Sequence, residues 1–216
     1  MTIRPCLALC TLLALGCTPS DDKTDNNENE ATTGTDELGT TGTDGTTDTG
    51  GDGGLSFVED AADGVSVVAV EPDRYLGVWY EIASSPSPQQ AACTATQAEY
   101  SLLDNGDIKV VNQCNLGSLD GDLNIIVGSA SFVDDSYARL LVDFNLGFTA
   151  PYNVVELDGS TGDEPYEFAV VSSPGFFLWV LSRTPQMDPE LYDIIVERAV
   201  ERGLPGDTLI ETIHPE

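Results

Sequence analysis

Apolar and polar positions along the 216-residue chain fall into three regimes. Residues 6–16 form one short apolar run, residues 20–54 carry almost no apolar side chain, and from about residue 55 short runs of Val, Ile, Leu, Phe and Tyr alternate with turn residues. This period-two pattern predicts strands near 76–84, 94–103, 107–114, 122–133, 137–145, 151–158, 165–172 and 176–183. Asp104-Asn105-Gly106-Asp107 predicts a tight hairpin, because Asn-Gly accepts the positive φ angles such a turn needs. Eight strands in simple succession predict an all-β, antiparallel up-and-down barrel, which removes exposed edges by closing on itself.

The period changes once. Asp188-Pro189-Glu190 supplies an N-cap, a proline at the first helical position and an acid in the first turn. Leu191, Ile194, Ile195 and Ala199 follow at three- and four-residue spacing, and Gly203 and Pro205 end the helix. A short last strand is predicted over 208–213.

The first two regimes read as an export signal and a tether. Arg4 precedes the apolar run, which is too short to span a bilayer. Leu13-Ala14-Leu15-Gly16-Cys17 resembles a bacterial lipobox, with Ala14 where Leu is usual. That resemblance implies lipidation of Cys17, a palmitate-type acyl anchor, and Thr18 after it favours the outer membrane; ordinary signal cleavage nearby is the alternative. Residues 18–54 are too polar to offset their ordering entropy and read as a disordered acidic tether, leaving 55–216 as the folded domain. The Thr-Gly-Thr-Asp repeats lack the Glu that would close a calcium loop at EF-hand spacing.

Charge narrows the partners. The chain holds 37 acids against 8 Lys and Arg, a net −29, and residues 55–216 alone carry 27 acids and six bases, a net −21. A field of that sign repels phosphate backbones and anionic headgroups, which argues against nucleic acid and against electrostatic docking on lipid.

Six ordered blocks resemble one family. They are residues 74–82 around Gly77-Val78-Trp79, Ala98-Glu99-Tyr100-Ser101-Leu102, Val110-Val111-Asn112, Gly128-Ser129-Ala130, residues 152–158, and Leu178-Trp179-Val180-Leu181-Ser182-Arg183-Thr184-Pro185. Together, over about 70–214, they resemble the lipocalins, in particular the bacterial outer-membrane members and apolipoprotein D. The resemblance implies a calyx that holds a lipophilic ligand, with Arg183 packed over Trp79 to plug the closed end and Gly77 leaving room there. These three identify the fold and do not act on a ligand.

Alternation within the strands gives a candidate wall. Leu140, Val142 and Phe144 oppose Arg139 and Asp143, and Tyr166, Phe168 and Val170 oppose Glu167, so both sets are expected to face inward with Tyr100 and Trp179. Large side chains filling the interior would leave no cavity. Glu81 shares parity with Trp79; whether it faces the calyx or is turned outward by strand twist stays open. A buried carboxylate must be paired or protonated. No base is clearly directed inward.

With Cys6 and Cys10 in the signal and Cys17 lipidated, Cys93 and Cys114 remain as an even pair, which in an exported protein implies a disulfide. A symmetric Asn105-Gly106 hairpin pairs Cys114 with about Gln97, roughly 13 Å short of Cys93. The bond therefore needs the chain at Ala92-Cys93 to fold back, or a bulge to shift the register; two unpaired thiols are the alternative.

Catalysis finds no constellation. The one histidine, His214, stands beside Pro215, where fraying is expected, and no cofactor or metal set accompanies it. The expectation is a non-enzymatic, membrane-anchored binder of a fatty acid, lysophospholipid or similar hydrophobe. The alternatives are a lipoprotein that binds proteins through its barrel rim, and a lipocalin-type enzyme using a free cysteine.

Overall fold

The fold was analysed in a computed structural model that describes residues 57–58, 67–173 and 177–216. The expected signal (1–17), the tether (18–54) and Cys17 lie outside the described residues. β1 (Phe57–Val58) and β2 (Val67–Val68) pair with each other, and one helical turn, α1 (Pro72–Tyr75), leads into the main sheet. The sheet runs through β3 (Gly77–Ser84), β4 (Cys93–Leu102), β5 (Ile108–Leu116), β6 (Leu123–Phe132), β7 (Arg139–Asp143), β8 (Thr149–Leu157), β9 (Phe168–Ser173) and β10 (Phe177–Ser182). Each strand pairs antiparallel with the next, and β10 returns to pair with β3. That last pairing closes an eight-stranded barrel, as the alternation predicts.

α2 (Pro189–Glu201) begins where the Asp188 side chain accepts from the backbone N–H of Glu190 and Leu191. Its apolar stripe lies on the outer wall: Ile195 and Ala199 pack with Ile82, Val155, Phe168, Val170, Leu178 and Val180. A second cluster, built on Trp79, Tyr75, Tyr100, Val110, Leu140, Val142, Val154, Val171 and Leu181, faces the barrel interior. The two apolar layers lie on opposite faces of one sheet, as strand alternation requires.

The expected last strand over 208–213 is shorter than predicted. A 3-10 turn occupies Gly206–Thr208, and only β11 (Ile210–Glu211) forms a ladder, on β3. Beyond it the segment stays extended. The Thr212 N–H donates to the Ile82 carbonyl (2.8 Å), and the Ala95 N–H donates to the Ile213 carbonyl (2.7 Å). β3 and β4 are paired only at Gly77–Tyr80, so residues 210–213 bridge the gap above that point.

A bulge resolves the cysteine register. Thr94 pairs with Asn115 and Gln97 with Gln113, so Ala95 and Thr96 together oppose Cys114. Ala95 takes a left-handed φ of +50° to make the shift. Cys93 thereby comes to a Cα–Cα distance of 5.4 Å from Cys114, and the two are disulfide-bonded.

Candidate functional site: a plugged barrel with a polar floor

At the closed end, Gly77 opens β3 with φ +98°, a left-handed conformation that glycine adopts without Cβ strain. A Cβ added there would stand 3.4 Å from Arg183 Nη1, an ordinary van der Waals distance. The glycine thus serves the backbone turn rather than leaving room for packing. The Arg183 guanidinium lies 3.7 Å from the centroid of the fully buried Trp79 ring. Its Nε donates to the Tyr166 carbonyl (2.9 Å), Nη1 to the Val78 carbonyl (2.8 Å) and Nη2 to the Arg74 carbonyl (2.8 Å). Trp79 Nε1–H donates to the Tyr75 carbonyl (2.8 Å). Arg74 forms a second stack, 4.0 Å from the Tyr166 centroid, with its donors spent on Ser160 and on the Glu164 carbonyl. Two guanidinium–aromatic pairs, each with its N–H groups satisfied by carbonyls, seal this end.

Sequence and fold both correspond to known proteins. The model of the lipocalin-like domain family matches residues 70–214, two thirds of the chain. The chain belongs to the lipocalins. Among this lipocalin's relatives, the outer membrane lipoprotein Blc of Vibrio cholerae is 35% identical over 142 residues, covering 65% of this chain and 80% of the relative. Apolipoprotein D of Mus musculus is 34% identical over 140 residues, 59% of this chain and 70% of its own length. In fold, the lipocalin resembles insecticyanin of the tobacco hornworm Manduca sexta, with a TM-score of 0.56 at 17% identity over 76% of this chain and 91% of that one. Lipocalins as a family bind small hydrophobic ligands, and their members are generally binding proteins rather than enzymes.

The expected wall residues divide between the two faces. Leu140 and Val142 lie in the interior core, with Phe144, Tyr152 and Trp179 packed against it and only partly buried. Tyr100 is interior as well. Phe168 and Val170 are not, which corrects the expectation. Ala169 pairs with Leu181 and Val171 with Trp179, so the odd-numbered residues of β9 face inward, while Phe168 and Val170 pack under α2. α2 buries the outer face, so β9 is apolar on both sides and its polar–apolar contrast vanishes. Tyr166 precedes β9 and is inward but belongs to the plug, its hydroxyl accepting from the Glu71 N–H (3.1 Å).

Glu81 faces the interior. It pairs with Leu181, and a bulge at Ile82 puts Ser84, opposite Trp179, on the same face. Its carboxylate accepts from Thr212 Oγ1 (2.7 Å) and Ser84 Oγ (3.2 Å) at Oε1, and from Gln90 Nε2 (3.0 Å) at Oε2. Burial pushes its pKa above the usual carboxylate range, opposed by those three hydrogen bonds and by nearby His214. The three partners come from β3, the loop over 85–92 and the segment after β11. Glu81 therefore ties the mouth loop and the C-terminal segment to the wall.

His214 is packed rather than frayed, another departure from expectation. Its Nε2 donates to the Glu81 carbonyl (2.7 Å), and its ring meets Tyr80 edge-on at 5.7 Å.

Tyr75 and Tyr152 escaped prediction as site residues. Tyr75 enters from α1, a turn whose signals were Pro72 and Asp73. Inside the barrel its hydroxyl lies 2.7 Å from that of Tyr152, which lies 3.1 Å from that of Tyr100. The Tyr75 ring stacks on Tyr100 at 5.8 Å and contacts Trp79 at 5.0 Å. Burial raises all three hydroxyl pKa values, Tyr100 to about 12. All three therefore remain O–H groups at neutral pH. Among the described residues, no group of three or more His, Cys, Asp and Glu could hold a metal ion.

Proposed function

We propose that this lipocalin binds a single-chain hydrophobe, a fatty acid, lysophospholipid or similar molecule, within its barrel. The observation that carries the reading is the state of the interior face. Phe144, Tyr152 and Trp179 point inward in a closed barrel yet are only partly buried, so solvent reaches apolar and aromatic surface inside it. Such a concave, mostly apolar surface with few polar groups is what a small lipophile fills. Storage, transport or repair of membrane lipid are the roles such binding serves.

The location belongs to the same proposal. Acylation of Cys17 would hold the domain at the outer membrane on the acidic tether of residues 18–54. The relative named an outer membrane lipoprotein supports this reading. No helix among the described residues is long and apolar enough to cross a membrane. Native mass spectrometry of the purified domain, with solvent extraction, tests the binding reading. Recovery of a lipid supports it; no extractable lipid and no uptake of a fluorescent fatty acid by the delipidated protein refute it. Radiolabelled fatty acid incorporated by the wild type and lost in Cys17→Ser supports the anchor; no incorporation by the wild type refutes it.

A further inference from the structure

Three hydroxyls that make two hydrogen bonds leave one proton over. Tyr75, Tyr152 and Tyr100 form such a chain, with Tyr152 in the middle, and each O···O contact consumes one O–H whichever way the donors point. Among the described residues, one O–H of the cluster has no protein acceptor in any arrangement. Where that O–H falls on the buried Tyr75 or Tyr100, an unmet donor costs about 1–3 kcal/mol, so the interior favours an occupant that supplies an acceptor there.

A second feature points the same way. Asn112 lies on the interior face of β5, one step along from Val110, the residue that pairs with Tyr100. Its Oδ1 is buried without a hydrogen-bond partner, as is Oγ1 of Thr96 on β4. The closed half of the barrel therefore holds a spare donor and, one rung up, a spare acceptor.

Charge selects among acceptors. Of the Lys and Arg residues described, Arg74 and Arg183 spend their donors on the plug, and Lys109 and Arg139 sit at outward positions of β5 and β7. Arg198 and Arg202 of α2 bond the buried Glu156 on the outer wall. No cation reaches the interior to balance an anionic headgroup, and the charged group on the interior wall is Glu81. Moving an unpaired carboxylate to the tyrosines would bury a charge beside another of its own sign.

From this we infer that the barrel takes its ligand polar end first, and that the end lodged at Tyr75, Tyr152 and Tyr100 carries an uncharged oxygen, a hydroxyl or carbonyl. This inference rests on the calyx reading and, within its single-chain hydrophobes, favours neutral oxygenated lipids over the charged fatty acids and lysophospholipids.

The test displaces a fluorescent hydrophobic probe from the delipidated domain with three twelve-carbon compounds: dodecane, 1-dodecanol and dodecanoate at pH 8. The wild type should bind the alcohol at least tenfold more tightly than the alkane and more tightly than the carboxylate. The triple variant Tyr75→Phe/Tyr100→Phe/Tyr152→Phe, which removes every hydroxyl of the cluster, should cut the alcohol-over-alkane preference to threefold or less and leave alkane affinity no weaker. If the triple variant fails to fold, Tyr152→Phe serves instead: it frees two O–H groups where the wild type has one, so the preference should persist or grow, and its loss would overturn the inference. Equal binding of alkane and alcohol by the wild type, a preference that survives removal of all three hydroxyls, or dodecanoate binding above the alcohol would each overturn the inference while leaving the calyx reading intact. Failure of all three compounds, and of the probe itself, would overturn both.

Discussion

Replacing Arg183 measures the plug directly. Arg183→Met keeps an unbranched apolar stem over the Trp79 ring and removes the charge and three donors. The cation–π term is worth about 1 kcal/mol at a half-exposed site. The carbonyls of Tyr166 and Arg74 are partly buried, so losing their charged donor costs about 1–1.5 kcal/mol each, whereas the exposed Val78 bond is replaced by water at little cost. The sum is about 3–4 kcal/mol. At roughly 2–4 °C per kcal/mol for a domain of this size, Tm falls by about 6–16 °C. Arg183→Lys restores a cation over the indole and one hydrogen bond, so it should recover about half of the loss. Urea unfolding of the disulfide-intact domain reads both variants as midpoint shifts at unchanged slope. A Met variant within about 0.5 kcal/mol of the wild type, or a Lys variant equal to it, would refute the assignment of the stability to the planar fork and its three carbonyls.

Gly77→Ala should cost about 1–2 kcal/mol through its φ of +98° alone, and the same urea midpoints check it, with no loss refuting the backbone argument. Reducing Cys93–Cys114 opens a closure of 21 residues and should cost about 3 kcal/mol, read as the difference between oxidised and reduced unfolding curves. Glu81 has its folded pKa raised, so its ionisation opposes folding: its contribution is fully favourable below the usual carboxylate value of about 4.5 and is lost as pH rises through the raised value. Glu81→Gln should therefore gain stability relative to the wild type as pH increases from about 4.5 to 8, and a pH-independent difference between the two would falsify the linkage.

The barrel and the helix were legible from the chain because each has a local signal, alternation for the strands and Asp188-Pro189-Glu190 for α2, whereas the plug of Trp79 and Arg183, distant in sequence, was expected from the family resemblance alone. The missed features depend on distant elements. The direction of Phe168 and Val170 is set by α2, which covers their face and removes the alternation that would have marked it. The hydroxyl cluster joins residues from α1, β4 and β8, and Tyr75 and Tyr152 are 77 positions apart, a separation that no strand period encodes. The cysteine pair was expected from parity of count, and register arithmetic required either a fold-back at Ala92-Cys93 or a bulge; that a bulge forms, and at Ala95, follows from a left-handed backbone that the residue type disfavours.

The bridge made by residues 210–213 across the split between β3 and β4 bears on the order of assembly. Glu81 and Thr212 are 131 positions apart, against the near-neighbour strand pairings that build most of the wall. Long closures carry the larger entropy and form late. The chain can thus zip the wall strand by strand while that split stays open. Its rim becomes a continuous ring only when Thr212 and Ile213 arrive, so the protein acquires its inside last.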